Sequence, residues 1–524
     1  NGIRPGNPVD LGTPLPDPVF NVGGQLSVRA VEHRNTPSTI NAVFNFTNFW
    51  DGRANPYFTG RTSFGNQDQG ATILVNRPGT GLVSEHIAVD NASLASQAVA
   101  PPLNPVEMSF GDPINGNGRR FREIGQKLLR PLPLTGVPLT PLGLQQVHLH
   151  DSVLGPLSKA PHRGLSTTYE AMIKQAFNEQ YWNSTAVQTL PSTPNPTEFS
   201  QMEVNFGFFF GLAIGMYEST LVADRTPFDR WMETGSFNQH FDERALAGLN
   251  LFVNEGQCIK CHAGPELTAA SVRHAQGEQN LIRAMAMAQG TALYDNGFYN
   301  IGVTPTPDDI GRGDGDLFGQ PLAFSRQALF DRLGIAPMGF PLLGNDHIPA
   351  SDEDLGVAVC DDINANGLCD PSETIQSEFQ RVAVDGTFKT PGLRNVELTG
   401  PYFHNGGMAT LRQVVQFYNR GGNFCDFNIR DLHPAIKPLG LTEEQEEQLV
   451  AFLVSLTDTR VQYQQAPFDH PELRIPEDGR DTFGTRKLRA VGASGAGFPL
   501  RPFLNLDPQD AIFTPLGQCL QPPS

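Results

Sequence analysis

Cys258-Ile259-Lys260-Cys261-His262 decides how this 524-residue chain is read. Two thiols two residues apart, with an imidazole directly after them, form the attachment signature of a c-type haem. The thiols can bond to the two porphyrin vinyl groups while the histidine ligates the iron. The spacing lets all three face one porphyrin. A bare Cys-x-x-Cys would also suit zinc or a redox dithiol. The trailing His262, and the lack of a second cysteine pair nearby, disfavour zinc.

The neighbourhood supports this reading. Over Asp242 to Phe252, Leu246, Leu249 and Phe252 recur at near-helical spacing, predicting a short amphipathic helix that leads into the motif. Leu441 to Thr457 predicts another. Thr442 with Gln445 three residues on is a capping box, and Leu449, Phe452, Leu453 and Leu456 form one apolar stripe. Helix, attachment loop and late helix are the parts of a cytochrome c domain. Phe199 to Leu221 reads as a further, buried helix. The fold class is therefore mainly α.

Composition narrows the function. Hydrophobic residues make up 39%, with 35 Phe for cores, while 53 Gly and 43 Pro predict a loop-rich chain. A net charge of -18 disfavours nucleic acid or an anionic membrane as partner and suits docking of a basic redox protein. No run is long enough to span a bilayer; residues 204–216 are apolar but too short. No signal peptide is seen, and a start at Asn1 reads as a mature or trimmed chain. Covalent haem attachment normally occurs outside the bacterial cytoplasm, which points to the periplasm. There Cys360, Cys369, Cys425 and Cys519 can form two disulfides. Proximity favours Cys360–Cys369 with Cys425–Cys519, but three pairings are open.

Further blocks carry a resemblance. Arg34-Asn35-Thr36-Pro37-Ser38-Thr39-Ile40-Asn41 leads into Phe49-Trp50-Asp51-Gly52-Arg53. Asn104-Pro105-Val106-Glu107-Met108 follows, then Phe388-Lys389-Thr390-Pro391-Gly392-Leu393-Arg394-Asn395-Val396 and Gly400-Pro401-Tyr402-Phe403-His404-Asn405-Gly406-Gly407. In this order, with the haem motif, they resemble the bacterial di-haem cytochrome c peroxidase and MauG family. The blocks span residues 33–457, with insertions near 54–96 and 109–195.

The resemblance implies two cytochrome c-like domains with long loop-rich insertions and an irregular tail. Residues 1–225 would be an incomplete N-terminal peroxidatic domain. Residues 226–460 would carry the covalent haem, and 461–524 a wrapping tail. It assigns the inter-haem tryptophan to Trp50 and the distal residues of the peroxidatic haem to Gln97 and Glu107. Glu107 would move a proton between peroxide oxygens as a general acid–base. Calcium would bind the Asn35 side chain and the carbonyls of Thr399 and Pro401. Cys258 and Cys261 would hold the haem, with His262 and Tyr418 on its iron. Tyr418 stands where typical peroxidases have a methionine, as in the MauG branch; His404 and Met408 are rivals. A phenolate favours oxidised iron, where a thioether would raise the potential.

Only one Cys-x-x-Cys-His occurs, and residues 1–33 hold no cysteine. A second haem is therefore expected on a segment upstream of this chain; the alternative is a mono-haem derivative. The function implied is reduction of hydrogen peroxide, with electrons from a small redox protein relayed through a second haem. The alternatives are MauG-like oxidation of a protein partner or organic substrate through a high-valent haem, and a non-enzymatic electron carrier. A homodimer is compatible with any of these.

Two other segments bear on metals. Asp362, Asn364, Asn366, the Leu368 carbonyl, Asp370 and Glu373 fit an EF-hand loop over 362–373, with Gly367 at the sharp turn. The acidic run from Asp308-Asp309 to Asp316 reads as a solvated loop. His148, His150 and His162 cluster without helical spacing and read as ordinary histidines.

Overall fold

The computed structural model describes residues 32–104, 107–108, 120–130, 145–191, 197–278, 281–288, 290–332, 381–476 and 485–511, plus short pieces at 21–22, 26–27, 132–134, 137–139 and 141–143. The loop at 362–373, with Cys360 and Cys369, lies outside the described residues, as does Cys519. Cys425 is disulfide-bonded, so its partner is one of those three.

Helix starts follow from side chains that satisfy the first free N–H groups. Ser200 with Glu203, Thr226 with Asp229, Thr410 with Gln413 and Thr442 with Gln445 each form a reciprocal capping box. Each such cap is worth about 1 kcal/mol. Asp242 caps Glu243–Val253 through the Ala245 N–H. The two helices read from sequence around the haem motif are thus Glu243–Val253 and Glu443–Val454.

These two helices cross at Gly248, where any Cβ would collide with the Gln448 carbonyl. Leu251 and Phe252 pack there on Leu449, Val450, Phe452 and Leu453. The Phe252 and Phe452 rings meet edge to face at 5.2 Å. A third helix, Leu411–Asn419, adds Leu411 and Val415 to the same core. The attachment loop is held against this triangle.

The first half has its own core. Phe206–Glu218 carries Phe206, Phe208 and Phe209 into it. Ser93–Ala98 lies close against that helix because Gly211 and Gly215 leave room for Ala95. The predicted helix over Phe199 to Leu221 is in fact broken into Gln201–Val204 and Phe206–Glu218. Asn205 causes the break. Its amide donates to the Leu74 and Tyr181 carbonyls and its oxygen accepts from the Leu74 N–H. The end of the second piece is not buried, with Met216 69% exposed.

Among the described residues, β-structure is limited to two-stranded antiparallel ladders. One of them, Phe298–Tyr299 against Phe388–Lys389, matters for the site. The two halves share a core: Phe46 and Tyr57 pack with Leu281, Ile282, Leu293, Phe324, Val382 and Val384. The tail reaches both halves. Ala493 N–H donates to the His150 carbonyl, and Arg412 N–H to that of Pro508.

Candidate haem-binding site

After the Glu243–Val253 helix, Gln257 takes a left-handed φ of 52° and turns the chain into the 3-10 segment Cys258–Lys260. The His262 N–H donates to the Cys258 carbonyl at 2.9 Å, which folds the motif onto itself. Both thiols are free and half-buried. Burial pushes each up to about 12. That setting disfavours the thiolates needed for zinc or dithiol chemistry and suits neutral thioethers. His262 Nδ1 lies 3.1 Å from the Leu267 carbonyl, so Nδ1 carries the proton and Nε2 keeps its lone pair. Burial pushes His262 down to about 4, holding it neutral. The residues present fit a covalent haem with an imidazole ligand.

Tyr418 lies near the end of the Leu411–Asn419 helix. Burial, then the sulfurs of Cys261 and Cys258, push its phenol far above the ordinary tyrosine range. The hydroxyl is therefore close to the attachment cysteines. The rivals are engaged elsewhere. His404 stacks on Phe388 at 3.5 Å with 10° between planes, and its Nε2 is 3.4 Å from the Thr304 hydroxyl. Met408 packs on the helical core and its carbonyl accepts from the Tyr402 N–H.

Three residues around Cys261 were not singled out from sequence. Burial and then Cys261 raise Tyr299 and, with Arg283 opposing, Tyr294 is raised too. His433, pushed down to about 4 by burial, meets the Tyr299 ring edge to face at 5.0 Å. No motif marks them; only their closeness to the attachment loop does.

Trp50 sits where the halves meet. Its indole N–H donates to the Asn35 carbonyl and its own carbonyl accepts from the Lys389 N–H, both at 2.7 Å. The ring is 6.4 Å from that of His404. Asp51 next to it is buried. Burial alone would raise its carboxyl, but Arg53 and Arg34 overcome this and hold it near 2. Arg34 also clamps Asp309 at 2.7 Å. The acidic run is thus not merely a solvated loop: Asp309, with 8% of its side chain exposed, ties the second half to the Trp50 turn. The reason is that a half-buried arginine needs carboxylates around its fork.

Gln97 lies on Ser93–Ala98, and its side-chain oxygen is buried with no partner among the described residues. Glu107 is solvent-exposed, yet partial burial and Glu32 raise its pKa against the pull of Arg53. No hydrogen bond joins it to Gln97 among the described residues. Of the calcium candidates, Asn35 and Pro401 meet: the Asn35 amide nitrogen is placed against the Pro401 carbonyl at 2.5 Å. Thr399 ends the 3-10 turn Val396–Leu398 just before them. The His148 and His150 rings are 5.7 Å apart, and among the described residues no group of three or more His, Cys, Asp or Glu is placed to hold a metal.

Known proteins match this pattern. A family model described as di-haem cytochrome c peroxidase matches residues 12–130. Cytochrome-c peroxidase IdrP1 of Denitromonas iodatirespirans is 31% identical over 268 residues, covering 51% of this chain and 52% of that protein. Methylamine utilization protein MauG of Methylorubrum extorquens is 32% identical over 106 residues, covering 20% and 27%. The diheme peroxidase BthA from Burkholderia thailandensis covers 84% of this chain and 76% of its own at 17% identity, with a TM-score of 0.37, too low to argue from. Motif and matches together place the chain among haem c proteins. Its similarity is to di-haem cytochrome c peroxidases and MauG proteins, over part of the chain. The chain spans about half the length of the curated peroxidase it matches first. No helix among the described residues is long and apolar enough to cross a membrane.

Proposed function

We propose that this chain is an oxidoreductase of the periplasm that reduces hydrogen peroxide to water, taking two electrons from a small redox protein. One observation carries the reading: a short backbone path from Trp50 to the side of His262. The Trp50 carbonyl accepts from Lys389 N–H, and the strand continues through Thr390 to Pro391, whose backbone lies beside the His262 ring. A relay between a site near Trp50 and the attached haem needs such a connection.

A haem bound at Cys258 and Cys261 supplies one-electron chemistry at its iron. The chain's residues do the rest. His262 would hold the iron through Nε2, and Tyr418 would hold it through its phenol. Glu107 takes a proton from one peroxide oxygen and returns it to the other, while Gln97 orients peroxide or water. Two electrons and two protons convert peroxide into two waters. A cytochrome c-like arrangement of each half and a second haem site belong to this reading. So does calcium at Asn35, Thr399 and Pro401, where a turned-over Asn35 amide would present oxygen beside the Pro401 carbonyl.

Tyr418 favours a second reading. A hard anionic ligand stabilises oxidised iron, which suits oxidation of a protein partner, as the name MauG suggests for that relative. Peroxide consumption by the purified full-length protein, supplied with a reduced c-type cytochrome, distinguishes the two. Turnover supports peroxide reduction. Covalent haem without turnover removes it.

A further inference from the structure

The chain carries a net charge of -18, yet the charges around the attachment loop have the opposite sign. Lys260 lies on the loop itself, exposed, with its ammonium on the Gln257 amide oxygen at 2.8 Å. The segment from Asp431 to Leu439 runs along the site. At one end the His433 ring meets Tyr299, in the cluster on which Cys261 packs. At the other, the Leu439 N–H donates to the Asn419 carbonyl at 2.9 Å, one residue after Tyr418. Exposed Lys437 lies within this segment, and its backbone flanks Gly421. Arg430, with 63% of its side chain exposed, stands just before it. Asp431 does not cancel Arg430: it is held by Arg381 at 2.6 Å, with the Arg430 Nε at 3.8 Å. Arg283 is exposed on the strand Ile282–Met287, whose Met285 packs on the same tyrosines.

The exposed carboxylates in the loop 254–262, the strand 282–287 and the segment 423–439 are Glu255 and Asp426, outnumbered by Lys260, Arg283, Arg430 and Lys437. The fields agree. After burial, Lys260 holds His433 down, and Arg283 opposes the rise of Tyr294 and Tyr299. No carboxylate of the described residues acts on these three, or on Cys258 and Cys261. Apolar surface accompanies the charge: Ile259, between the two cysteines, is 40% exposed and Phe427 66%. An apolar spot with a charged rim has the anatomy of a docking site, and the sign of the rim selects the partner.

We propose that this face docks a small redox protein whose own docking face is acidic. The proposal rests on haem attachment at Cys258 and Cys261, and it reverses the partner charge that the overall balance suggests. A charge is felt over about 10 Å at ~0.1 M salt, so the local sign governs docking. One electron leaves the reduced centre of the partner and enters the attached haem. The partner is oxidised, the iron is reduced, and no bond is made or broken.

The test uses the haem-loaded full chain, reduced, freed of reductant and mixed anaerobically with an oxidised carrier. Plastocyanin serves as the acidic carrier and mitochondrial cytochrome c as the basic one. Reoxidation of the haem gives a second-order rate constant for the same contact run in reverse. Binding of each oxidised carrier to immobilised protein gives a readout that needs no electron transfer. Lys260→Glu and Lys437→Glu should each slow plastocyanin about threefold or more at low salt and weaken its binding, with the difference fading at high salt. Lys174→Glu, the same change of net charge on the first half, should alter neither. Pyridine haemochrome checks the haem of each variant. Its absence from the unmodified protein defeats the haem reading, and the binding comparison still decides this one. Plastocyanin rates and binding that ignore both reversals, or that fall as far with Lys174→Glu, overturn the proposal. So does cytochrome c being slowed by the reversals. Anionic phospholipid vesicles that bind through Lys260 and Lys437 while plastocyanin does not would assign the face to lipid and overturn it too.

Discussion

Tyr418 and Glu107 are the residues on which the proposed chemistry turns. Axial ligands set haem potentials over a range of ~0.8 V. Tyr418→Met should therefore raise the potential of the attached haem by on the order of 0.1 V or more, read by spectroelectrochemical titration. No shift would mean that another group holds that position. For Glu107, loss of general acid–base action costs about 10²-fold or more. Glu107→Gln should lower peroxide turnover by that factor at unchanged covalent haem content. Both residues were legible only through matching blocks, since a lone Tyr or Glu says nothing of iron or peroxide. Tyr299, Tyr294 and His433 have no such block. They reach Cys261 through folding, not spacing.

Among the elements, the crossing of Glu243–Val253 with Glu443–Val454 positions the attachment loop. Gly248 makes it possible by admitting the Gln448 carbonyl. Gly248→Ala forces the helices apart. It should cost about 1–3 kcal/mol, as for other overpacked cores, measured by urea denaturation of the haem-loaded protein. Wild-type stability would mean that the crossing is soft. Both helices were readable from apolar spacing and caps, because Asp242 and Thr442 act on N–H groups a few residues away. The break at Asn205 was not readable. An asparagine in an apolar run looks tolerable until Leu74 and Tyr181 bring carbonyls to it from distant segments.

Across the whole molecule, buried titratable groups set the response to acid. His404, pushed down to about 4 by burial, is neutral in the folded chain and near 6.5 when exposed. A depressed histidine makes the unfolded chain bind more protons, so stability falls as pH drops from about 6.5 toward 4. For His404 the loss approaches roughly 3 kcal/mol. His433 acts in the same window and direction. Asp51, held near 2, adds a second loss as pH falls from about 3.8 through 2. Urea midpoints measured from pH 7 to 3 should decline in both windows; a flat profile from 6.5 to 4 would show that the histidines are solvated. The sequence by itself carried the Cys258, Cys261 and His262 motif, the helices beside it and the family resemblance, because those features lie in contiguous residues acting on near neighbours. Only the tertiary structure decided that Arg34 joins Asp51 to Asp309, that the Trp50 carbonyl meets Lys389 on the strand that leads to His262, and that Lys389 is buried with no counter-charge among the described residues. Each of these depends on segments hundreds of residues apart being packed out of water, and burial and charge pairing are properties of that packing rather than of any local stretch.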